Sequence, residues 1–182
     1  LGIGDRITVY KANMIIPQIA ENLTGSDSLE IPDTCPVCGG RTEVKGAKES
    51  QFLYCINENC EAKNIKAFTQ FVSRDAMNIE GLSEATLEKF IGCGFLHEFA
   101  DLYHLDRYEE TIVNMEGFGE KSYRKLINSI EASRETTLPR VLYALGIKYV
   151  GETTAKLIAK TMGSIDNIIK ASAEELTEID EV

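Results

Sequence analysis

Apolar side chains recur along the second half of the chain at helical spacing. Phe68, Phe71 and Val72 stand at i, i+3 and i+4, and so do Leu87, Phe90 and Ile91. Tyr123, Leu126, Ile127 and Ile130 carry the same stripe to i+7. One face of each stretch is therefore built for burial, which predicts amphipathic helices from residue 67 onward. Gly92, Gly94 and Gly163 stand where these helices should stop. The first thirty residues follow a different rule. "DRITVY" alternates, with Ile7 and Val9 on one face and Thr8 and Tyr10 on the other, as a strand requires. "MIIPQI" is apolar but carries Pro17, so it belongs at a sheet edge or strand end. Two strands make no stable sheet alone, so this segment must lean on something else or end a larger domain. Residues 24–33, "TGSDSLEIPD", read as a turn-rich linker. Residues 31–66 hold four of the five cysteines and little apolar mass. The expected fold is mainly α, preceded by a small four-cysteine unit and a short β segment.

The helical part repeats itself. "IEGLSEAT" at 79–86, "MEGFGEKS" at 115–122 and "IKYVGETT" at 147–154 align without gaps, and "IDEV" at 179–182 begins a fourth copy. Their starts are 36, 32 and 32 residues apart. Each copy has an apolar residue, two variable positions, a second apolar residue, then Gly or Ser and a polar helix start. The pattern predicts a helix, a tight hairpin and a second helix. The fourth copy stops where its glycine is due, and the chain opens on Leu1; both predict a piece of a longer protein.

Composition narrows the class. The chain has 182 residues, 43% of them hydrophobic, enough for one or two small domains with cores. No apolar run approaches the ~20 residues of a spanning helix, and "LGIGDRITVY" has no signal-peptide core, so a cytoplasmic protein without membrane contact is expected. The net charge of −10 argues against a general nucleic-acid binder. Its distribution qualifies that. Residues 121–160 hold 8 basic and 3 acidic side chains, whereas the flanking segments 69–120 and 161–182 are strongly acidic. A local basic segment is thus hidden in an acidic chain.

Cys35-Pro-Val-Cys38 and Cys55-Ile-Asn-Glu-Asn-Cys60 form two short cysteine turns with sixteen residues between them. Zinc takes four soft ligands at tetrahedral corners about 2.3 Å away, and two such turns on a small hairpin can supply them. "FLYC" (52–55) would be the strand that delivers the second pair, and Gly39-Gly40 would turn the chain so that backbone N–H groups face sulfur. A redox pair would need a βαβ setting, and disulfides would need a secretory context; neither is apparent. Cys35, Cys38, Cys55 and Cys60 are therefore the expected ligands of a closed, structural zinc. Arg41, Lys45, Lys48, Lys63 and Lys66 stand near enough in sequence to offset its charge. Cys93 reads as a small buried apolar residue, and His97 and His104 as ordinary histidines.

Gly117-Phe-Gly-Glu-Lys-Ser resembles a nucleotide loop at first sight. A phosphate-binding Walker loop needs Gly-Lys-Ser, and Glu120 stands where that glycine belongs. A dinucleotide fingerprint needs a preceding strand. What remains is a hairpin whose glycines clear side chains from backbone N–H groups at a helix start, an arrangement suited to one phosphate. Several such hairpins could hold successive phosphates of DNA without reading sequence. The competing reading is that the glycines only let helices pack closely. Three and a half copies and the basic segment favour DNA.

The order of these parts, "GDRITVYKANMIIPQI", then "CPVCGG…YCINENC", then hairpins including "LGIKYVGETTAKLIA", resembles the C-terminal portion of bacterial NAD-dependent DNA ligases over essentially the whole chain. The resemblance implies the end of an OB-fold and a linker at 1–30, a four-cysteine zinc finger at 31–66, and a helix-hairpin-helix domain at 67–182. It implies a parent enzyme that seals nicks in duplex DNA in replication and repair, with NAD and magnesium, as a monomer in the bacterial nucleoid. Gly81, Gly117, Gly119 and Gly151 match its hairpin glycines; with Ser83, and with Lys121, Arg124 and Thr153 near the helix starts that follow, they are the expected phosphate contacts. The adenylated lysine of such enzymes lies in a Lys-x-Asp-Gly motif, which this sequence lacks. No catalytic residue is therefore expected here; NAD and magnesium would serve an upstream adenylation domain, and the chain should be inactive alone. The family's C-terminal BRCT domain is likewise absent from this sequence. Ser83 and Tyr149 occupy positions that are glycine in the fullest hairpin pattern; Ser83 suits a helix cap, and Tyr149 puts the third turn in question. A zinc and helix-hairpin-helix module of another repair or recombination protein is the alternative, and a protein-interaction scaffold a more distant one.

Overall fold

The computed structural model describes residues 1–47 and 50–179. Two compact units are formed, Leu1–Asn57 and Glu58–Val182. Among the described residues no helix is long and apolar enough to cross a membrane.

The first unit holds two hairpins. β1 (Ile7–Ala12) pairs antiparallel with β2 (Ile16–Asn22), from Ile7 opposite Asn22 to Ala12 opposite Ile16. The turn places Asn13 and Met14 at φ 51° and 63°, and Ile15 N–H donates to Ala12 O at 3.2 Å. Two consecutive left-handed residues give the turn that matches the twist of paired strands. A bulge between Thr8 and Val9 puts Val9 opposite Ile19 and interrupts the simple alternation of the sequence. Pro17 lies inside β2 opposite Lys11, as an outer strand of a two-stranded sheet tolerates. Ile7, Val9, Ile16 and Ile19 are all exposed, so this sheet has no core of its own. Its base is tied by the Asp5 carboxylate, which accepts from Gly2 N–H, Asn22 Nδ2, Thr24 Oγ1 and Ser26 N–H at 2.7–3.1 Å. These donors, the Asn22 amide foremost, hold the Asp5 carboxyl far below the usual carboxylate range. Residues 24–33 contain no helix or strand.

β3 (Thr42–Ala47) and β4 (Ser50–Cys55) form the second hairpin, with Thr42 opposite Cys55 and Val44 opposite Leu53. β4 thus ends on a cysteine, as the sequence suggested.

The second unit is helical. α1 (Glu61–Val72) and α2 (Glu84–Gly92) are followed by a 3₁₀ helix (Phe99–Tyr108), α3 (Glu109–Val113), α4 (Glu120–Ala132), α5 (Leu138–Ala144), α6 (Glu152–Met162), α7 (Ile165–Lys170) and α8 (Ala173–Thr177). α1 begins at Glu61, before its apolar stripe becomes visible, because its first turn buries no side chain and Ile65 is its earliest buried residue. The helices α2, α4 and α6 follow the three repeats and bury equivalent positions: Leu87 and Phe90, Tyr123 and Leu126, Ala155 and Ile158. α2 packs on α1, α4 on α3 and α6 on α5.

The main core gathers Phe68, Phe71, Leu87, Phe90, Leu102, Leu105, Leu126 and Ile130. Phe99 stacks on Phe71 at 4.3 Å between centroids and meets Phe68 edge-on at 5.1 Å. A second cluster joins Leu142, Ala155, Ile158 and Ala159 to Ile179, the first residue of the fourth repeat. The rest of that repeat, residues 180–182, lies outside the described residues.

Gly92 ends α2, Gly94 turns at φ 75°, and Gly163 caps α6 at φ 75°, all at the stops that the sequence marked. Cys93 does not fit its expected buried role. It is the exposed C-cap of α2, because the burial stripe of that helix ends at Phe90 and the Gly94 turn leaves the thiol on the solvent side.

Candidate metal centre and nucleic-acid interface

The metal centre is built by three local devices. Gly39, at φ 65°, closes the first cysteine turn, with Gly39 N–H donating to Cys35 O at 2.9 Å and Cys35 N–H to Gly40 O at 2.7 Å. That turn aims Gly40 N–H at Cys38 Sγ, 3.4 Å away. A side chain at Gly40 would bring its Cβ within 2.9 Å of Asn57 Cβ and 3.2 Å of Cys38 Sγ, so the position has room only for hydrogen. β4 delivers Cys55, and Cys60 is the N-cap of α1. The cap role was not visible in the sequence, since it depends on where α1 begins. It is chemically apt, because the positive end of a helix dipole favours a thiolate.

Together, Cys35, Cys38, Cys55 and Cys60 bring their four sulfurs within 4.8 Å of one another. Cys38 Sγ and Cys55 Sγ are 3.5 Å apart, far beyond a disulfide length of ~2.05 Å. Four thiolates around one zinc at ~2.3 Å would lie roughly 3.8 Å from each other, so the cluster has the right size. Backbone N–H groups of Cys38 and then Val37 hold the Cys35 thiol below its ordinary pKa, which favours the ligating form. The donor set therefore fits a tetrahedral, soft metal ion such as zinc, with no position left for a substrate. Of the basic side chains near it in sequence, Lys45 faces Glu43 at 3.8 Å and Lys66 holds Glu84 at 2.8 Å. Lys48 lies outside the described residues.

The three repeats share one backbone path. Their third residue is left-handed: Gly81 at φ 93°, Gly117 at 87° and Tyr149 at 69°. Their fifth residue, Ser83, Gly119 or Gly151, is the extended N-cap of a helix that begins at Glu84, Glu120 or Glu152. In the second and third hairpins the turn closes identically, with Phe118 N–H donating to Met115 O and Val150 N–H to Ile147 O, both at 2.9 Å. A turn with its left-handed residue third is type II, which normally demands glycine there. Tyr149 keeps the path without one, so the third hairpin is complete.

The caps differ in a way that matters. In the first hairpin Ser83 Oγ accepts from Thr86 N–H at 3.2 Å and satisfies one helix-start donor. Gly119 and Gly151 supply no such acceptor. In α4, Gly119 N–H donates to Ser122 Oγ at 3.0 Å, but the first N–H groups of α4 and α6 have no partner within their own helix. A Cβ built on Gly117, Gly119 or Gly151 meets nothing within 4 Å. Close helix packing therefore does not explain these three glycines. Gly117 is explained by its turn. Gly119, at φ −177°, and Gly151, at φ −80°, are in conformations open to any residue.

The first two hairpins brace each other. Glu80 N–H donates to Ser129 Oγ of α4 at 2.7 Å and the Glu80 carboxylate meets Lys125 Nζ at 3.0 Å; in return Lys89 Nζ of α2 donates to Glu116 O at 3.4 Å. The third is anchored by Arg140, which donates to Ala76 O at 2.8 Å and Arg74 O at 2.5 Å. Much of the basic segment is thus occupied. Arg124 pairs with Glu120 at 3.6 Å, Arg134 with Glu131 at 2.9 Å and Lys156 with Glu152 at 2.6 Å. Among the described residues Lys121 and Lys160 enter no ion pair, and Lys121 stands on the first turn of α4 beside Gly119. Thr153 is exposed at the matching place on α6.

The glycine hairpins at helix starts form a helix-hairpin-helix domain, and the helix-hairpin-helix motif family matches residues 140–182. The relatives are more particular. The chain is 55% identical over its whole length to a DNA ligase of Lachnoclostridium phytofermentans, covering 28% of that protein. It is 59% identical over 88% of its length to a DNA ligase of Ruminiclostridium cellulolyticum, covering 24% of it, and 42% identical over 99% to one of Brevibacillus brevis, covering 27%. By sequence the chain is therefore homologous to a segment of bacterial DNA ligases, and it spans less than a third of the length of these relatives.

Proposed function

We propose that this chain is the DNA-gripping portion of an NAD-dependent DNA ligase, a part that holds nicked duplex by its phosphates while another part does the chemistry. The observation that carries this is the pair of glycines at 119 and 151. Neither is required by backbone conformation or by packing, yet both leave helix-start N–H groups uncovered, which suits close approach by an external anion. Each hairpin would hold one phosphate by backbone N–H groups, with Lys121, and Arg124 once released from Glu120, adding charge. Gly81, Gly117, Ser83 and Thr153 complete the set. Such contacts position a duplex without reading its bases, so the grip is independent of sequence.

In this reading residues 1–30 end an OB-fold whose other strands cover the exposed β1–β2 sheet, 31–66 are a zinc finger and 67–182 the hairpin domain. Zinc, held by Cys35, Cys38, Cys55 and Cys60, would fix the cysteine turns and supply no catalysis. NAD and magnesium would act with the adenylation domain of the parent, so the chain alone would not ligate. The parent would act as a monomer on nicks in the cytoplasmic nucleoid. The DNA ligase relatives support this over a free-standing module.

The test is a titration of nicked duplex with the zinc-loaded chain across a range of salt. Expected is weak binding that falls steeply with salt and does not depend on sequence. Absence of binding at low salt would remove the proposal.

A further inference from the structure

The third hairpin carries a residue that the fold does not need. Gly117 and Tyr149 occupy the same left-handed place, but a tyrosine there costs about 1–2 kcal/mol that glycine does not. The side chain recovers little, since Tyr149 is 86% exposed and its ring meets the ammonium of its neighbour Lys148 at 4.6 Å. The flanking apolar residue departs from its counterparts as well. Ile79 opens the first repeat buried, and Met115 packs against the core in the second, whereas Ile147 is 49% exposed. The third tip thus presents an aromatic ring, an aliphatic side chain and a cation to solvent, on a backbone held in a conformation that disfavours the ring.

We propose that Tyr149 is a nucleic-acid contact, its ring lying against the sugar of the strand whose phosphate the third hairpin holds. This inference rests on the function proposed above. A deoxyribose offers an apolar C–H face beside each phosphate, which a phenol ring and the Ile147 side chain can cover while Lys148 stays near the phosphate. The contact is sequence-tolerant, because every nucleotide presents the same sugar. It also gives the third hairpin a grip that the first two, with glycine at this place, lack.

The experiment compares the 182-residue chain with Tyr149→Gly and Tyr149→Phe, in titrations of nicked duplex at several salt concentrations, with thermal unfolding as a fold control. Tyr149→Gly keeps the turn, so it should remain folded and bind about fivefold more weakly, the scale of losing roughly 40 Å² of buried apolar contact. Its salt dependence should keep the parent slope, because no charge is removed. Tyr149→Phe should bind within about twofold of the parent, since the ring is retained. Parent-like affinity of a folded Tyr149→Gly overturns the proposal and leaves phosphate gripping intact. Affinity of Tyr149→Phe as low as that of Tyr149→Gly overturns the ring contact in favour of the hydroxyl. A parent chain that does not bind duplex removes both this inference and the function beneath it.

Discussion

Gly117 and Tyr149 lie 32 residues apart in sequence and take the same step in two hairpins, at φ 87° and 69°. For the glycine this is ordinary, and for the tyrosine it stores strain. Tyr149→Gly should therefore stabilise the helical unit. Relief of about 1–2 kcal/mol is partly offset by about 0.5–1 kcal/mol of added unfolded-state entropy, leaving a net gain of up to about 1.5 kcal/mol. Gly117→Ala should have the opposite sign and cost about 1 kcal/mol. Chemical denaturation of the two variants checks both, and a destabilised Tyr149→Gly would show that the ring contributes packing.

The metal centre makes a stoichiometric demand. One zinc per chain is expected by elemental analysis, and Cys38→Ser should lower that content. Gly40→Ala should also weaken metal retention against a chelator, since its methyl group would crowd Cys38 Sγ and Asn57 Cβ. Metal-free protein with paired disulfides by mass would contradict the assignment.

Acid should weaken the start of the 3₁₀ helix. Asp101 accepts from His97 N–H at 2.8 Å and Glu98 N–H at 2.9 Å, and these bonds, the Glu98 one first, hold its carboxyl below the ordinary value. A depressed folded pKa contributes stability that is fully present above the unfolded value of ~3.9. That contribution disappears as pH falls from there through the folded value. Asp101→Asn should lower stability near neutral pH and flatten the acid limb of the stability curve, as measured by denaturation from about pH 7 down to about pH 2. An unchanged acid limb would show that another group controls it.

Lysines on one helix should separate by role. Lys121 enters no ion pair among the described residues, whereas Lys125 is held by Glu80 at 3.0 Å. Lys121→Gln should reduce the magnitude of the logarithmic salt slope of DNA binding by about one, and Lys125→Gln by less. Binding isotherms at four or five salt concentrations distinguish them. Equal slopes for both variants and the parent would remove Lys121 from the contact set.

Much of this architecture was legible in the sequence, and the exceptions share a cause. The hairpins showed because a left-handed turn and a helix start leave a fixed signature of apolar, Gly and polar residues, which recurs. The cysteine cluster showed because metal ligands need short, fixed spacings. What stayed hidden depended on tertiary context. The start of α1 at Glu61 buries nothing, so no periodicity marks it. Cys93 looked like core because cysteine usually is, but its place at the end of α2 decides its exposure. The 3₁₀ helix has a period near three and a non-helical break at His104, and α5, α7 and α8 are short, so none shows a stripe of 3.6-residue spacing. Which cations of the basic segment are engaged could not be read either, because Glu80 meets Lys125, and Arg140 the carbonyls of Arg74 and Ala76, across long stretches of chain.

On the proposed function, the uncovered N–H groups at the starts of α4 and α6, beside Gly119 and Gly151, hold DNA phosphates. The most direct measurement is the affinity of the double variant Gly119→Ala, Gly151→Ala for nicked duplex, at low salt and beside the parent chain. Both new methyl groups enter open space, so the fold should persist, with at most a modest loss of stability at two helix caps. Binding should weaken about tenfold or more, the scale of losing a hydrogen bond to a charged group. A folded double variant that binds nicked duplex as tightly as the parent would contradict it.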